Sequence, residues 1–113
     1  QNAYTKAAGI RVPVAVGDFL IIRAVRESNG FAMSVSDEDI MEARDRVAAV
    51  DGCFFFFFGA ATMTAYEKSL SSKLITSDDK VILFNCATGL KYPLPEVINT
   101  IDKNKTIDYN TFI

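Results

Sequence analysis

Residues 36–61, with the sequence SDEDIMEARDRVAAVDGCFFFFFGAA, decide the predicted fold. Ser36 and the three acids after it mark a helix start, because a serine hydroxyl caps free backbone N–H groups and acids favour the positive end of the helix dipole. Gly52 closes this helix. Its apolar face follows from spacings of three and four residues and comprises Ile40, Ala43, Val47 and Val50. Residues 53–58 are then uniformly apolar, as expected for a strand covered on both faces.

The flanking segments continue an alternation of helices and strands. A largely buried helix is predicted over residues 19–26, with its end at Asn29-Gly30, and a short strand over residues 31–35. The elements predicted after residue 61 are a helix over 62–70, a turn over 77–79 and a second apolar strand over 81–84. Helices that alternate with buried strands indicate an α/β domain with a mostly parallel sheet and helices on both faces.

The composition argues against several classes of function. The 113 residues suffice for one small domain, and their net charge of −2 without a basic run argues against a nucleic-acid partner. The absence of histidine removes the commonest general base and the commonest zinc ligand. The longest apolar stretch, residues 53–61, is far shorter than the roughly 20 residues of a membrane helix. We therefore expect no metal site, no nucleic acid and no membrane partner.

The two cysteines bear on the compartment. Cys53 and Cys86 each lie at one end of an apolar run and are predicted to be buried free thiols. Reduced thiols suit the cytosol or an organelle interior, and residues 1–6 contain no hydrophobic signal region. We therefore expect a protein that is not secreted.

Two loops rich in small residues follow the two predicted apolar strands. They are Phe58-Gly59-Ala60-Ala61 and Cys86-Ala87-Thr88-Gly89. In parallel sheets, ligands bind beyond the carboxyl ends of the strands, and small residues there let a flat ligand approach the backbone. Both loops are candidate parts of a binding site. An ordinary strand-to-helix turn is the alternative for either loop, because glycine and alanine serve tight turns routinely.

A series of motifs runs in order along the chain and resembles the signatures of the threonine synthase family. The motifs are Ala8-Gly9-Ile10-Arg11-Val12-Pro13, Gly17-Asp18-Phe19-Leu20, Ala24-Val25-Arg26-Glu27-Ser28, Val35-Ser36-Asp37-Glu38-Asp39-Ile40, Gly59-Ala60-Ala61-Thr62 and Thr88-Gly89-Leu90-Lys91-Tyr92-Pro93. The tail, with Ile101-Asp102-Lys103, resembles the family's C-terminal extension. The resemblance covers nearly the whole chain.

The resemblance implies a part of a pyridoxal-phosphate (PLP) enzyme of fold type II. Family members are lyases that convert O-phosphohomoserine and water into threonine and phosphate, with the cofactor as electron sink. They carry the Schiff-base lysine, an asparagine loop and the phosphate cradle in their N-terminal half. None of these appears here, and Lys91 belongs to the closing motif. We therefore expect no catalytic residue in this chain, with residues 1–93 ending the catalytic domain and residues 94–113 forming the extension.

The same resemblance implies the cofactor contacts and the partners. The cofactor contacts implied are Ala8, Gly9, Cys86 and Thr88. The family places a threonine or serine hydroxyl beside the pyridine nitrogen at the position of Cys86, whose thiol is a weaker donor. Thr88 can supply a hydroxyl instead. The partners implied are an amino-acid substrate, the missing N-terminal half of the enzyme and a second subunit of a homodimer. The location implied is the cytoplasm, or the plastid stroma in a plant.

Two departures from the family pattern keep alternatives open. The family usually has Pro-Glu where Phe57 and Phe58 stand, and Cys86 replaces the hydroxyl residue. These changes favour a non-catalytic binding or interaction domain descended from a PLP enzyme. A related PLP-dependent amino-acid lyase is a further alternative, and a generic α/β domain is the last.

Overall fold

The computed structural model describes residues 3–92 and 101–112, and the regular secondary structure within these ranges is helical. The three α-helices are α1 (Asp18–Glu27), α2 (Asp37–Asp51) and α3 (Phe57–Ser71). Short 3-10 turns cover Ala8–Ile10, Gly89–Lys91 and Tyr109–Phe112. No strand or sheet forms in the described ranges, so the predicted α/β class with its parallel sheet is wrong.

Helix α2 confirms most of the prediction made for it. The backbone N–H of Asp39 donates to the Ser36 hydroxyl over 3.2 Å, and Gly52 closes the helix in the left-handed conformation, with φ 67°. The buried face contains Ile40, Ala43 and Val47. Val50, also predicted for this face, is 77% exposed.

Helix α1 begins and ends near its predicted positions but is not buried. Asn29, with φ 53°, takes the left-handed position at its end instead of Gly30. No residue of α1 is buried, and its apolar side chains at 19–22 are 47–60% exposed. The helix is amphipathic, with charged residues at 18, 23, 26 and 27, and its apolar face is buried only where another element covers it. Among the described elements, extensive helix-to-helix packing joins only α2 and α3.

Helix α3 begins at Phe57, five residues before its predicted start, and takes the end of the expected strand over 53–58. A uniformly apolar run does not distinguish a strand from a buried helix. An extended segment also needs partners for its backbone N–H and C=O groups. Within the described part of the chain, a single antiparallel bridge, between Phe55 and Thr88, forms instead.

The other two predicted strands are also absent. Residues 31–35 and 81–84 form no ladder, and Ile82 is 93% exposed. The turn at 77–79 is confirmed, since the Asp79 N–H donates to the Thr76 carbonyl over 3.2 Å. The predicted domain boundary between residues 93 and 94, together with Pro93 of the closing motif, lies outside the described residues.

The core lies where α2 and α3 pack against each other. Its buried apolar residues are Ala7, Ile40, Ala43, Val47, Phe56 and Ala60. Thr64 is also buried, and its hydroxyl lies within hydrogen-bonding distance of the carbonyls of Ala60 and Asp39, at 3.1 and 3.2 Å. Ion pairs join the outer edges of the two helices, Arg46 to Glu67 at 2.7 Å and Lys68 to Asp39 at 2.8 Å. None of the described helices has the length and apolar character needed to cross a membrane.

Candidate functional site

Residues 54–58, here called the phenylalanine segment, organise the candidate site. The Phe56 N–H donates to the Ala87 carbonyl over 3.3 Å, and the Gly89 N–H donates to the Phe54 carbonyl over 2.9 Å. These bonds fix the loop of residues 85–90, here called the small-residue loop, against the segment. Backbone hydrogen bonds therefore hold the predicted loop Cys86-Ala87-Thr88-Gly89 at two of its residues, Ala87 and Gly89.

Two glycines, Gly89 and Gly59, leave no free space for a Cβ near the contact between the small-residue loop and the segment. A Cβ added to Gly89 would lie 2.6 Å from the Phe55 carbonyl oxygen and 2.6 Å from the Phe54 ring. A Cβ added to Gly59 would overlap the Asn85 side chain. At both positions the chain itself occupies the space beside the glycine. The expected close approach is therefore observed, but protein atoms make it.

The Ala8–Gly9 turn meets the same segment through a different residue. A Cβ added to Gly9 would overlap the Phe58 ring. The structure therefore brings both predicted pairs, Ala8 with Gly9 and Cys86 with Thr88, to the phenylalanine segment. The first pair lies against Phe58, and the second is held by Phe54, Phe55 and Phe56.

Thr88 and Cys86 are both exposed on the small-residue loop. The Thr88 hydroxyl oxygen accepts from the Leu90 N–H over 3.3 Å and so caps the 3-10 turn that follows. A hydroxyl that accepts a hydrogen bond keeps its own O–H to donate. Cys53 is exposed as well, so the prediction of two buried thiols is wrong. The reason is that the strands expected to cover these thiols do not form.

Arg44 is a residue of this region that the sequence prediction missed. Its side chain is 6% exposed, and its guanidinium lies 5.3 Å from the Phe54 ring centroid and 5.4 Å from that of Phe57. Asp45 pairs with it at 2.6 Å. A cation over an aromatic face is attracted by the ring quadrupole. A signal was present, because Arg44 falls on the face defined by Ile40, Ala43 and Val47.

Tyr92, from the motif that resembles the family's closing signature, packs on the same segment. Its ring centroid lies 4.6 Å from that of Phe56 and 5.4 Å from that of Phe57, both edge to face. Such pairs contribute roughly 0.5–1.5 kcal/mol beyond burial. The contacts with Arg44 and Tyr92 show that the Phe57 ring contributes to packing.

The N-terminal segment is attached to the start of α2. The Thr5 hydroxyl donates to one oxygen of the Asp37 carboxylate, and the Lys6 N–H donates to the other over 2.8 Å. These bonds, the Thr5 hydroxyl first, hold the pKa of Asp37 below its ordinary value. The Thr5 oxygen also accepts from the Ala7 N–H over 3.1 Å.

An open groove of about 460 Å³ borders the Ala8–Gly9 turn. It is lined by Thr5, Ile10, Met33, Ser34, Val35, Ile40, Phe58, Ala61, Thr62 and Ala65. The lining is mostly apolar and carries no charged side chain. Cys86 and Thr88 are not part of it. Among the residues that the structure describes, no group of three acidic, cysteine or histidine side chains is placed to hold a metal ion.

Comparisons with known proteins identify threonine synthases as relatives. No protein-family model matches the chain. The threonine synthase of Methanocaldococcus jannaschii is 30% identical over 93 residues, which is 82% of this chain and 23% of that protein. That of Methanosarcina acetivorans is 30% identical over 110 residues, or 97% of this chain and 27% of that protein. That of Halalkalibacterium halodurans is 28% identical over 95% of this chain and 30% of its own length.

The chain is therefore similar to threonine synthases over most of its length. The resemblance indicated by the motifs is confirmed, and its extent is consistent with a match to the C-terminal part of these enzymes. The chain spans between 23% and 30% of the length of these curated relatives.

Proposed function

We propose that this chain is the C-terminal part of a threonine-synthase-like, PLP-dependent lyase. The observation that carries the proposal is the similarity to three threonine synthases over 82–97% of the chain. In the complete enzyme the reaction would convert O-phosphohomoserine and water into threonine and phosphate. A cytosolic location, or the plastid stroma in a plant, accords with this proposal.

The small-residue loop suits one edge of the cofactor ring. Residues 86–90 carry only neutral side chains, and two of them, Cys86 and Thr88, offer a thiol and a hydroxyl on an exposed surface. A neutral donor suits a pyridine nitrogen that stays unprotonated. When bound, PLP supplies an electron sink for bond breaking at the amino acid.

The proposal assigns a role to each of the four predicted cofactor contacts, Ala8, Gly9, Cys86 and Thr88. Thr88 would donate its O–H to the ring nitrogen, and Cys86 would do so more weakly. Pairing with residues 54–56 would keep both at a fixed position. Ala8 and Gly9, held by Phe58, would place backbone beside the cofactor. The catalytic lysine would come from the part of the enzyme outside this chain.

The exposed apolar surface supports a large partner in the same enzyme. Helix α1 exposes Phe19, Leu20, Ile21 and Ile22, and the segment 81–84 exposes Ile82 and Phe84. Exposed apolar patches mark surfaces that associate with other protein. Because the chain spans only 23–30% of the length of its curated relatives, we assign this surface to the remainder of the enzyme polypeptide. The homodimer of the family would form in addition to this contact.

The experiment joins this chain to the upstream portion of its own gene. We expect the complete protein to bind PLP and to release phosphate from O-phosphohomoserine. PLP binding with turnover of serine or threonine instead would support a related amino-acid lyase. Failure of the folded, complete protein to bind PLP would overturn the proposal.

A non-catalytic binding domain is the second candidate. The observation in its favour is the packing of Phe57 and Phe58, which stand where the family has Pro-Glu. Phe57 contacts Arg44 and Tyr92, and Phe58 packs edge to face on Phe56 with ring centroids 4.6 Å apart. Both rings are thus used for packing, and neither offers a polar group to a cofactor.

A further inference from the structure

The attachment of residues 5–7 to α2 has the geometry of a clamp. Thr5 and Asp37 are 32 residues apart in sequence, yet the carboxylate receives two hydrogen bonds from consecutive residues of the N-terminal segment. The Thr5 hydroxyl donates to Asp37 and accepts from the Ala7 N–H. One side chain therefore closes the turn locally and joins it to a distant helix.

Asp37 is not needed as the cap of its own helix. Ser36 fills that role by accepting from the Asp39 N–H. Both oxygens of the Asp37 carboxylate are instead engaged by Thr5 and Lys6. The favourable position of an acid at a helix start does not explain two bonds to another part of the chain.

The clamp leads directly into the Ala8–Gly9 turn. Ala7 is 1% exposed, and its carbonyl accepts from the Ile10 N–H over 2.9 Å. The turn has no side-chain cap of its own. It is therefore held on one side by the clamp through Ala7, and on the other by contact between Gly9 and Phe58.

We propose that Thr5 and Asp37 form a positioning pair that fixes the backbone of Ala8 and Gly9 against Phe58. The pair itself stands on the bonds above. Its relevance to cofactor binding rests on the proposed function, in which Ala8 and Gly9 lie beside PLP.

Limited trypsin cleavage after Arg11 tests the pair in the chain itself. Arg11 is exposed, and its N–H donates to the Ala8 carbonyl over 3.2 Å, so cleavage there requires the turn to open. Thr5→Val removes the hydroxyl at nearly constant volume and should speed this cleavage about fivefold. Thr5→Ser keeps the hydroxyl and should restore the original rate. Asp37→Asn should behave like Thr5→Val.

Two controls make the result specific. Thr76→Val removes a comparable bond, from the Thr76 hydroxyl to Asp79 at 3.0 Å, in a distant turn, and should leave Arg11 cleavage unchanged. Cleavage after Arg46, in the middle of α2, requires that helix to open and so reports loss of the packing between α2 and α3. Equal acceleration at Arg11 and Arg46 in Thr5→Val would mean general unfolding and would overturn the proposal. An unchanged Arg11 rate in Thr5→Val, or a fast one in Thr5→Ser, would also overturn it.

A second measurement separates the pair from the proposed function. In the complete enzyme, Thr5→Val should weaken PLP binding severalfold while Thr5→Ser does not. Faster Arg11 cleavage with unchanged PLP affinity would leave the positioning pair in place and remove Ala8 and Gly9 from the cofactor contacts. Loss of PLP binding in every form, wild type included, would count against the proposed function alone.

Discussion

At the scale of single residues, the site combines two kinds of polar group. Thr88 is exposed and carries both a structural bond and a free donor capacity. Arg44 is buried and makes its contacts with rings and one carboxylate. Under the proposed function, the first kind contacts a ligand, whereas the second stabilises the fold. Substitution should separate the two kinds, because the proposal expects only the first to affect cofactor binding directly.

Thr88→Val should affect both stability and the reaction. The Leu90 N–H loses its acceptor, so the chain should lose about 1 kcal/mol of unfolding free energy. In the complete, PLP-loaded enzyme, turnover per folded site should also fall about tenfold, because a neutral hydrogen bond to the ring is lost. Thr88→Ser keeps the hydroxyl and should therefore retain both the unfolding free energy and the turnover per folded site. An unchanged rate per site would remove Thr88 from the cofactor contacts and leave it as a cap.

Arg44→Ala should cost about 2 kcal/mol of unfolding free energy, because two ring contacts and the packing of a long side chain disappear. The matched control is Arg46→Ala. Arg46 is 44% exposed and pairs with Glu67 at the surface, so its loss should cost less than about 0.5 kcal/mol. Urea unfolding of the three proteins measures the difference. Equal losses of unfolding free energy in Arg44→Ala and Arg46→Ala would show that burial of Arg44 beside the two rings adds no stability.

The contact between Lys6 and Asp37 should depend on pH in one direction. The ordinary pKa of the carboxyl is 3.8, and hydrogen bonds from Thr5 and Lys6 lower it in the folded chain. A lowered carboxyl pKa gives a contribution that is complete above the ordinary pKa and is lost as pH falls through the folded-state pKa. The charge of the Lys6 ammonium, which lies 3.2 Å from the Met41 sulfur, also lowers the pKa of Asp37, after the two hydrogen bonds.

Amide exchange of the Lys6 N–H measures this dependence. Its protection factor should be constant down to about pH 4 and should fall at lower pH. Asp37→Asn should lower the protection above about pH 4 and should remove its dependence on acid pH. The Gly89 N–H, bonded to the Phe54 carbonyl and not to a carboxylate, serves as the internal control. A Lys6 protection that persists through the acid range would contradict the prediction.

At the scale of elements, the sequence predicted what local chemistry determines. The start, the end and most of the buried face of α2 follow from Ser36, Gly52 and a regular apolar spacing. The prediction of strands was wrong because a strand depends on hydrogen-bond partners elsewhere in the chain. The described residues form only the bridge between Phe55 and Thr88. The candidate loops were found from their glycines, whereas Arg44 and the Thr5–Asp37 contact required the tertiary structure.

The two packed glycines should differ in their tolerance of alanine. Gly89→Ala places a Cβ against the Phe55 carbonyl, and backbone cannot move without breaking the pairing with the loop. We expect a cost of about 2 kcal/mol or more. Gly59→Ala meets only the Asn85 side chain, which can rotate, and gains helix propensity. The melting temperature of Gly89→Ala should therefore lie well below that of Gly59→Ala. The reverse order would contradict the loop docking.

At the scale of the whole molecule, the chain is open. Its radius of gyration is 17.7 Å, against about 13 Å for a compact domain of this length. The apolar residues that an α/β domain would bury are on the surface of α1 and of residues 81–84. The phenylalanine segment, in contrast, is largely covered. The exposed apolar surface therefore belongs to α1 and residues 81–84, and not to the run of phenylalanines.

The isolated chain should bind a hydrophobic dye and self-associate through α1. Ile21→Asp should reduce both effects, because Ile21 is 60% exposed within a continuous apolar surface. Val50→Asp is the control, since Val50 is 77% exposed but stands alone on α2. Light scattering and dye fluorescence report the outcome. A monomeric chain without dye binding, at high concentration, would contradict the assignment of α1 to an interface.

The way in which each edge of the phenylalanine segment is held has a consequence for how the site responds to acid. The edge that carries Thr88 is held by backbone hydrogen bonds of Phe54 and Phe56 with Gly89 and Ala87, and no carboxylate takes part in them. The clamp at the other edge depends on the ionised carboxylate of Asp37. Acidification should release the two edges of the phenylalanine segment one after the other. The Gly9 edge would detach first, while the edge that carries Thr88 would stay docked.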